Sequence, residues 1–232
     1  MSYRYDGITP ETLMLLSENR FRNSRDFYEE NKKRIKEGIT IPLQQIICAL
    51  SDTIIEIDED IPIIPQKMVS RVRRDTRYTK DKHMYRENLW AMFTRDKHAL
   101  PHFPCMWFEF FPDGYSYGVA MFRYDAKGLA AFRQKLIDKP DEFRRALTSV
   151  EITGAQLFIE SFKKNKPDID KVADDLKLFY NAKDFGFTFH SGDMIKLIDG
   201  SIIEELTYAV RAFEPMYKFL AEITDDLMAK GE

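Results

Sequence analysis

Cysteine is scarce. Only Cys48 and Cys105 occur in 232 residues, too few for a disulfide scaffold and in keeping with a reducing compartment. Long apolar runs are missing too. Stretches such as Leu13–Leu16 and Cys105–Phe108 reach about four residues, against the roughly 17–25 of a membrane-spanning helix. From Met1 to Leu16 there is no apolar block long enough for a secretory signal. No Walker phosphate loop and no Gly-x-Gly-x-x-Gly fingerprint occurs, so no cofactor is expected. There is no Gly-x-Ser-x-Gly elbow, internal repeat, low-complexity tract or Gly/Ser linker. A net charge of −3 excludes a cationic field over the whole protein. These absences lead us to expect a cytoplasmic protein without membrane partners.

What is present is the balance of a globular chain, 44% hydrophobic and 31% charged. Thr9-Pro10-Glu11 is a helix start, followed by Leu13, Met14, Leu16 and Phe21 on or near one face. Ser24 opens a second helix through Phe27, Tyr28, Asn31 and Ile35, closed by the basic residues from Lys32 to Lys36. From Pro42 a third helix carries Leu43, Ile46, Ile47, Leu50 and Ile54 as a stripe, with Cys48 on it as a buried, inert thiol. Pro62 and Pro65 end this pattern. Met68 to Asp75 then alternates with period two and reads as a half-buried strand. Arg71 and Arg73 fall on one side of it, while Arg74 falls on the side of Val72.

Two aromatic-rich runs, Met106–Phe111 and Tyr115–Tyr124, flank Pro112-Asp113-Gly114 and predict a hairpin. A two-residue turn at Asp-Gly would set Glu109 across from Gly118 and Trp107 across from Ala120. Helices follow over 127–137 and 141–150. A strand is expected over 155–162, a short helix over 170–180 and a strand over 184–190. Ser201 and Glu204 suggest a capping box for a last helix, which Pro215 should kink or split. Strands without a βαβ rhythm, between helical ends, imply an α+β fold: an antiparallel sheet with a central hairpin, packed by N-terminal and C-terminal helices. We read residues 1–232 as one domain, with a split near 125 or 150 as the alternative.

One segment stands out. Residues 71–97 hold nine cations (Arg71, Arg73, Arg74, Arg77, Lys80, Lys82, Arg86, Arg95, Lys97) and four acids, a charge of +5 that leaves −8 for the rest. Its centre runs from Arg74 to Lys82 and is followed by Tyr85 and Arg86. The order Arg-Asp-Thr-Arg-aromatic, Lys-Asp-Lys, then Tyr-basic resembles the bacterial and fungal family called Domain of Unknown Function 2461. That family usually has Phe where Tyr78 stands and often Pro-Tyr-Lys where Met84-Tyr85-Arg86 stands. The resemblance extends over most of the chain, and it implies a location for the motif but no activity.

Arginine offers a planar five-donor fork for carboxylate or phosphate. The candidate site for a small anionic ligand is therefore the basic loop 71–86, with Arg74, Asp75, Arg77, Tyr78, Lys80, Lys82, Tyr85 and Arg86 as its binding residues. Glu109 and Asp81 are the candidate catalytic carboxylates, Glu109 as a base if burial raises its pKa. Two other readings stay open: an ion-pair network that fastens a loop, and a contact for nucleic-acid backbone, which the overall acidity disfavours. His98, His102 and Cys105 have ligand-like spacing, but Pro101 and Pro104 break it and no fourth ligand is near, so no metal is expected. His83 reads as a surface residue, and His190-Ser191-Gly192-Asp193 as a strand end and turn.

Overall fold

A computed structural model describes residues 5, 7–96, 103–122 and 124–229. Helix α1 (Pro10–Arg22) starts where Thr9 caps the backbone of Thr12, and α2 (Arg25–Ile35) where Ser24 caps Phe27. A single π-helical turn, Lys36–Thr40, joins α2 directly to α3 (Ile41–Ile57). The whole helical run Arg25–Ile57 is long and apolar enough, by length and composition, to cross a membrane. Its Ile35, Ile39, Leu43, Ile46, Leu50 and Ile54 are buried in the protein core. Cys48, expected buried, is only half-buried. On α1 the core side is Leu13, Leu15 and Leu16; Met14 and Phe21, expected with them, face solvent.

The strand expected over Met68–Asp75 does not form. Pro65–Met68 is a helical turn (α4), and the rest makes only two isolated bridges, Val69 to Ala91 and Arg73 to Tyr85. The physical reason is a change of partner: the first bridge is to a sheet strand and the second to the returning chain, so no ladder runs on. The alternation itself survives, with Val72 buried and Arg71 and Arg73 exposed.

The sheet is β1 (Leu89–Phe93), β2 (Cys105–Phe111), β3 (Gly114–Met121), β4 (Gln156–Ser161) and β5 (Ala182–Ser191), in the order β1-β2-β3-β5-β4 with every pair antiparallel. Between β3 and β5 lie α5 (Ala126–Asp138), α6 (Pro140–Glu151), β4 and the short α7 (Lys177–Tyr180). The expected helix over 170–180 is instead two 3-10 turns and α7, because Val172 turns extended and buries its side chain. After β5 come α8 (Ile195–Asp199) and α9 (Ile202–Ala229). α9 continues through Pro215, and no capping box occurs among the described residues: the Ser201 backbone N–H that Glu204 would take bonds the Asp199 carboxylate at 2.9 Å.

The hairpin register is two residues from the expected one. Phe111 pairs with Gly114, so the turn is Pro112-Asp113; Glu109 faces Ser116 and Trp107 faces Gly118. Gly114 serves as a strand residue because a Cβ there would lie 2.4 Å from the Ser191 carbonyl oxygen of β5. Period two then sorts the sheet into two faces. Met106, Phe108, Phe110, Tyr115, Tyr117, Val119, Phe185 and Phe187 are buried on the helix-packed face. There Tyr117 meets Phe213 of α9, and Phe185 meets Phe132, Phe143 and Phe179. The opposite face carries Trp90, Trp107, Glu109, Gly118 and Gly186. Trp107 and Phe158 lie over the two glycines, where a Cβ would come within 2.5 Å of each ring.

Candidate functional site

The basic loop is hung from two backbone bonds, Arg74 N–H to the Met84 carbonyl at 2.7 Å and Arg86 N–H to the Val72 carbonyl at 2.9 Å. Asp81 organises what lies between them. Its carboxylate accepts from the His83 backbone N–H at 3.0 Å, lies 2.7 Å from His83 Nδ1, and is bonded by Arg74 and by Arg20 of α1. The His83 backbone N–H, then the His83 ring and the two guanidiniums, hold the Asp81 carboxyl far below the usual carboxylate range. A carboxylate so committed is a poor proton acceptor, and its role is to hold the loop. Arg20 also donates to the Tyr85 carbonyl at 3.1 Å and pairs with Glu87 at 3.4 Å.

The outer loop neutralises itself. Arg77 grips Asp75 with Nε at 3.0 Å and Nη2 at 2.6 Å, which lowers the Asp75 carboxyl to about 2. Lys82 Nζ donates to the Thr76 carbonyl at 2.8 Å. Lys80 is exposed, and Tyr78 is 89% exposed with the Arg77 guanidinium 5.5 Å from its ring centre. Arg95, at the far end of the basic segment, is spent on structure. Its Nε lies 2.7 Å from buried Asp58, which also accepts from the Tyr217 hydroxyl of α9 at 2.6 Å.

The remaining members of the expected set point elsewhere. Tyr85 is 2% exposed and stacks on Tyr28 of α2, with ring centres 4.8 Å apart. Arg86 turns toward the helix-poor sheet face, with its guanidinium 4.5 Å over the Trp90 ring. Glu109 is half-buried there and accepts from the Asn88 amide. Burial pushes the Glu109 carboxyl up against the opposing pull of Asn88, Arg86 and His190. The structure thus brings Arg86 near Glu109 and Arg74 onto Asp81, but does not gather the eight residues around one hollow.

A different set of cations does share one. A groove of about 350 Å³ opens between α2 and the chain from Gln66 to Arg73, over Tyr28, Ile35 and Val72. Lys32, Lys36, Arg71 and Arg73 line it, and no acid does. Among the described residues, the side chains of Lys36, Arg71 and Arg73 form no ion pair or hydrogen bond, while Lys32 reaches Glu29 at 3.4 Å. The sequence reading places the site in the basic loop 71–86 without naming Arg71 and Arg73 among its binding residues, and takes Lys32 and Lys36 only as a helix end. The signal available was the placement of Arg71 and Arg73 opposite Val72.

Among the described residues no group of three or more His, Cys, Asp and Glu is placed to hold a metal ion. His98 and His102 lie outside the described residues, and the Cys105 thiol is buried and pushed up to about 12. His190 and Ser191 end β5, and the Asp193 N–H bonds the Ser191 hydroxyl at 3.1 Å in the turn that follows.

The family model described as "Conserved hypothetical protein (DUF2461)" matches residues 11–219. The chain belongs to this family. The DUF2461 match takes in α1 to α3, the basic loop, the whole sheet and most of α9, so both the Asp81 clamp and the groove lie within it. No curated protein matches the chain.

Proposed function

We propose that this DUF2461 protein binds a small phosphate- or carboxylate-bearing ligand in the groove between α2 and residues 66–73. One observation carries this reading: Lys36, Arg71 and Arg73 face a common space with no acid lining it and, among the described residues, no ion-pair or hydrogen-bond partner for their side chains. Cations gathered without counter-charges raise the local potential and favour an anion. A charge-assisted hydrogen bond to such a group contributes about 1.5–3 kcal/mol. Tyr28 and Ile35 would meet an apolar portion of the same ligand. The two free thiols, Cys48 and Cys105, fit a cytoplasmic setting.

The test is a thermal-shift panel of phosphorylated and carboxylate metabolites. At least one should raise Tm saturably, and an Arg71→Ala/Arg73→Ala double variant should lose that shift while keeping its own Tm. No shift with any anion, or an equal shift in the variant, ends the proposal. Binding confined to DNA or RNA, falling steeply with salt, would replace the small ligand by a nucleic-acid backbone.

A further inference from the structure

The sheet face away from the helices holds an acid and a base that are close without being paired. Glu109 accepts from Asn88 through Oε1, and no hydrogen bond to its Oε2 occurs among the described residues. The Arg86 guanidinium makes no hydrogen bond there either, and its Nε is buried without an acceptor. Each of the two side chains feels the charge of the other, yet no ion pair closes the distance between them. Burial pushes the Glu109 carboxyl up and the Arg86 guanidinium down, outweighing the pull of Asn88, Arg86 and His190 on Glu109 and of Glu109 on Arg86.

The Trp90 ring lies beside this pair, under the Arg86 guanidinium, and the Trp107 ring packs on Phe122 and Phe158 along the same face. Trp90 is the direct cross-strand partner of Glu109, and Trp107 lies two residues before Glu109 on the same face of β2. Gly118 lets the Trp107 ring lie down on the sheet, since a Cβ there would sit 2.5 Å from Cη2. The arrangement therefore has an acceptor, a donor fork and aromatic surface beside them.

Charge complementarity selects the occupant. An anion would meet Glu109, and a cation would meet Arg86. A neutral group that donates one N–H to Glu109 and presents one C=O to Arg86 satisfies both. A simple carboxamide and the lactam edge of a planar ring both do this, and only the planar ring also stacks on indole. We propose that Arg86, Asn88 and Glu109, with Trp90 and Trp107, form a binding site for the lactam edge of a nucleobase. The site does not depend on the anion groove, and nucleosides, which carry no phosphate, test it separately.

Trp90 and Trp107 are the two tryptophans of the chain, so indole fluorescence reports on this sheet face alone. Guanosine and uridine, titrated with excitation at the red edge of the indole band, should quench it saturably. N1-methylguanosine and N3-methyluridine lack the N–H and should bind roughly ten-fold more weakly or worse. Glu109→Gln and Arg86→Met should weaken the unmethylated nucleosides to a similar extent. If a variant fails to fold, the methylated pair on the wild-type protein still decides. Quenching by oligouridylate without quenching by uridine would support the site with single-stranded nucleic acid as its source. Equal binding of the methylated nucleosides, or no saturable quenching by any of these probes, would overturn it.

Discussion

Two neighbouring parts of one basic segment meet opposite fates. In the loop from Arg74 to His83 most of the cations find a partner: Arg74 the Asp81 carboxylate, Arg77 the Asp75 carboxylate, Lys82 a backbone carbonyl. A few residues earlier, Arg71 and Arg73 face Lys32 and Lys36 across a groove with no acid in it. The difference teaches that an excess of charge along a sequence does not locate available charge. Acids at short range consume their neighbours, and the cations left for a ligand are those whose alternation turns them away from those acids.

Removing the shared support should blur this contrast most. Tyr85 is buried between the loop and Tyr28, which floors the groove. Tyr85→Ala should lower stability by about 3–5 kcal/mol, measured by urea unfolding, and abolish anion binding with it. A loss under about 1 kcal/mol would show that the ring bears little of the packing.

Next comes the clamp itself. Asp81→Asn removes the charge that Arg74 (16% exposed) and Arg20 share, and should lower Tm by several degrees while the groove keeps its ligand shift. Loss of the ligand shift with Tm unchanged would reverse the roles assigned to loop and groove.

Acid should then act on the loop in a definite direction. Asp75 is depressed to about 2 in the folded protein, and Asp81 is depressed as well. Folded-state depression means that these carboxylates stabilise the fold fully above their ordinary range near 3.8 and lose that contribution as pH falls toward 2 and below. Circular-dichroism melts from neutral pH down to pH 2 should show Tm falling below about pH 4 in the wild type and falling less steeply in Asp81→Asn. Parallel slopes would mean that Asp81 is not the titrating clamp.

The smallest stability effects belong to the free cations. Arg71→Ala and Arg73→Ala should each leave stability within roughly 0.5 kcal/mol of wild type. A double-mutant cycle on Arg74 and Asp81 should show coupling, whereas Arg77 with Asp81 should show none, because Arg77 pairs with Asp75.

Much of the fold was legible because its signals are local. The Thr9 and Ser24 caps, the α3 stripe and the hairpin near Asp113 follow from chemistry within a few residues. The hairpin register was not legible: it depends on Gly114 meeting the Ser191 carbonyl, 77 residues away in the chain. β1 went unseen because Leu89–Phe93 is short and adjoins a charged stretch. Met68–Asp75 showed its alternation but not its lack of one continuous partner. At the site, Arg86 and Glu109 were both named, yet nothing in the sequence separated them from Arg77 and Lys82.

By itself the sequence determined where helices begin, where the hairpin turns and that a surplus of cations follows the third helix, since caps, turn residues and charge are properties of adjacent residues. Which of those cations remain free was decided by tertiary structure alone. Arg20 reaches Asp81 from α1, Tyr28 closes over Tyr85, and Lys36 comes to face Arg73 only when α2 folds against the chain. Pairing depends on distance in space, and the residues that settle it lie far apart along the chain.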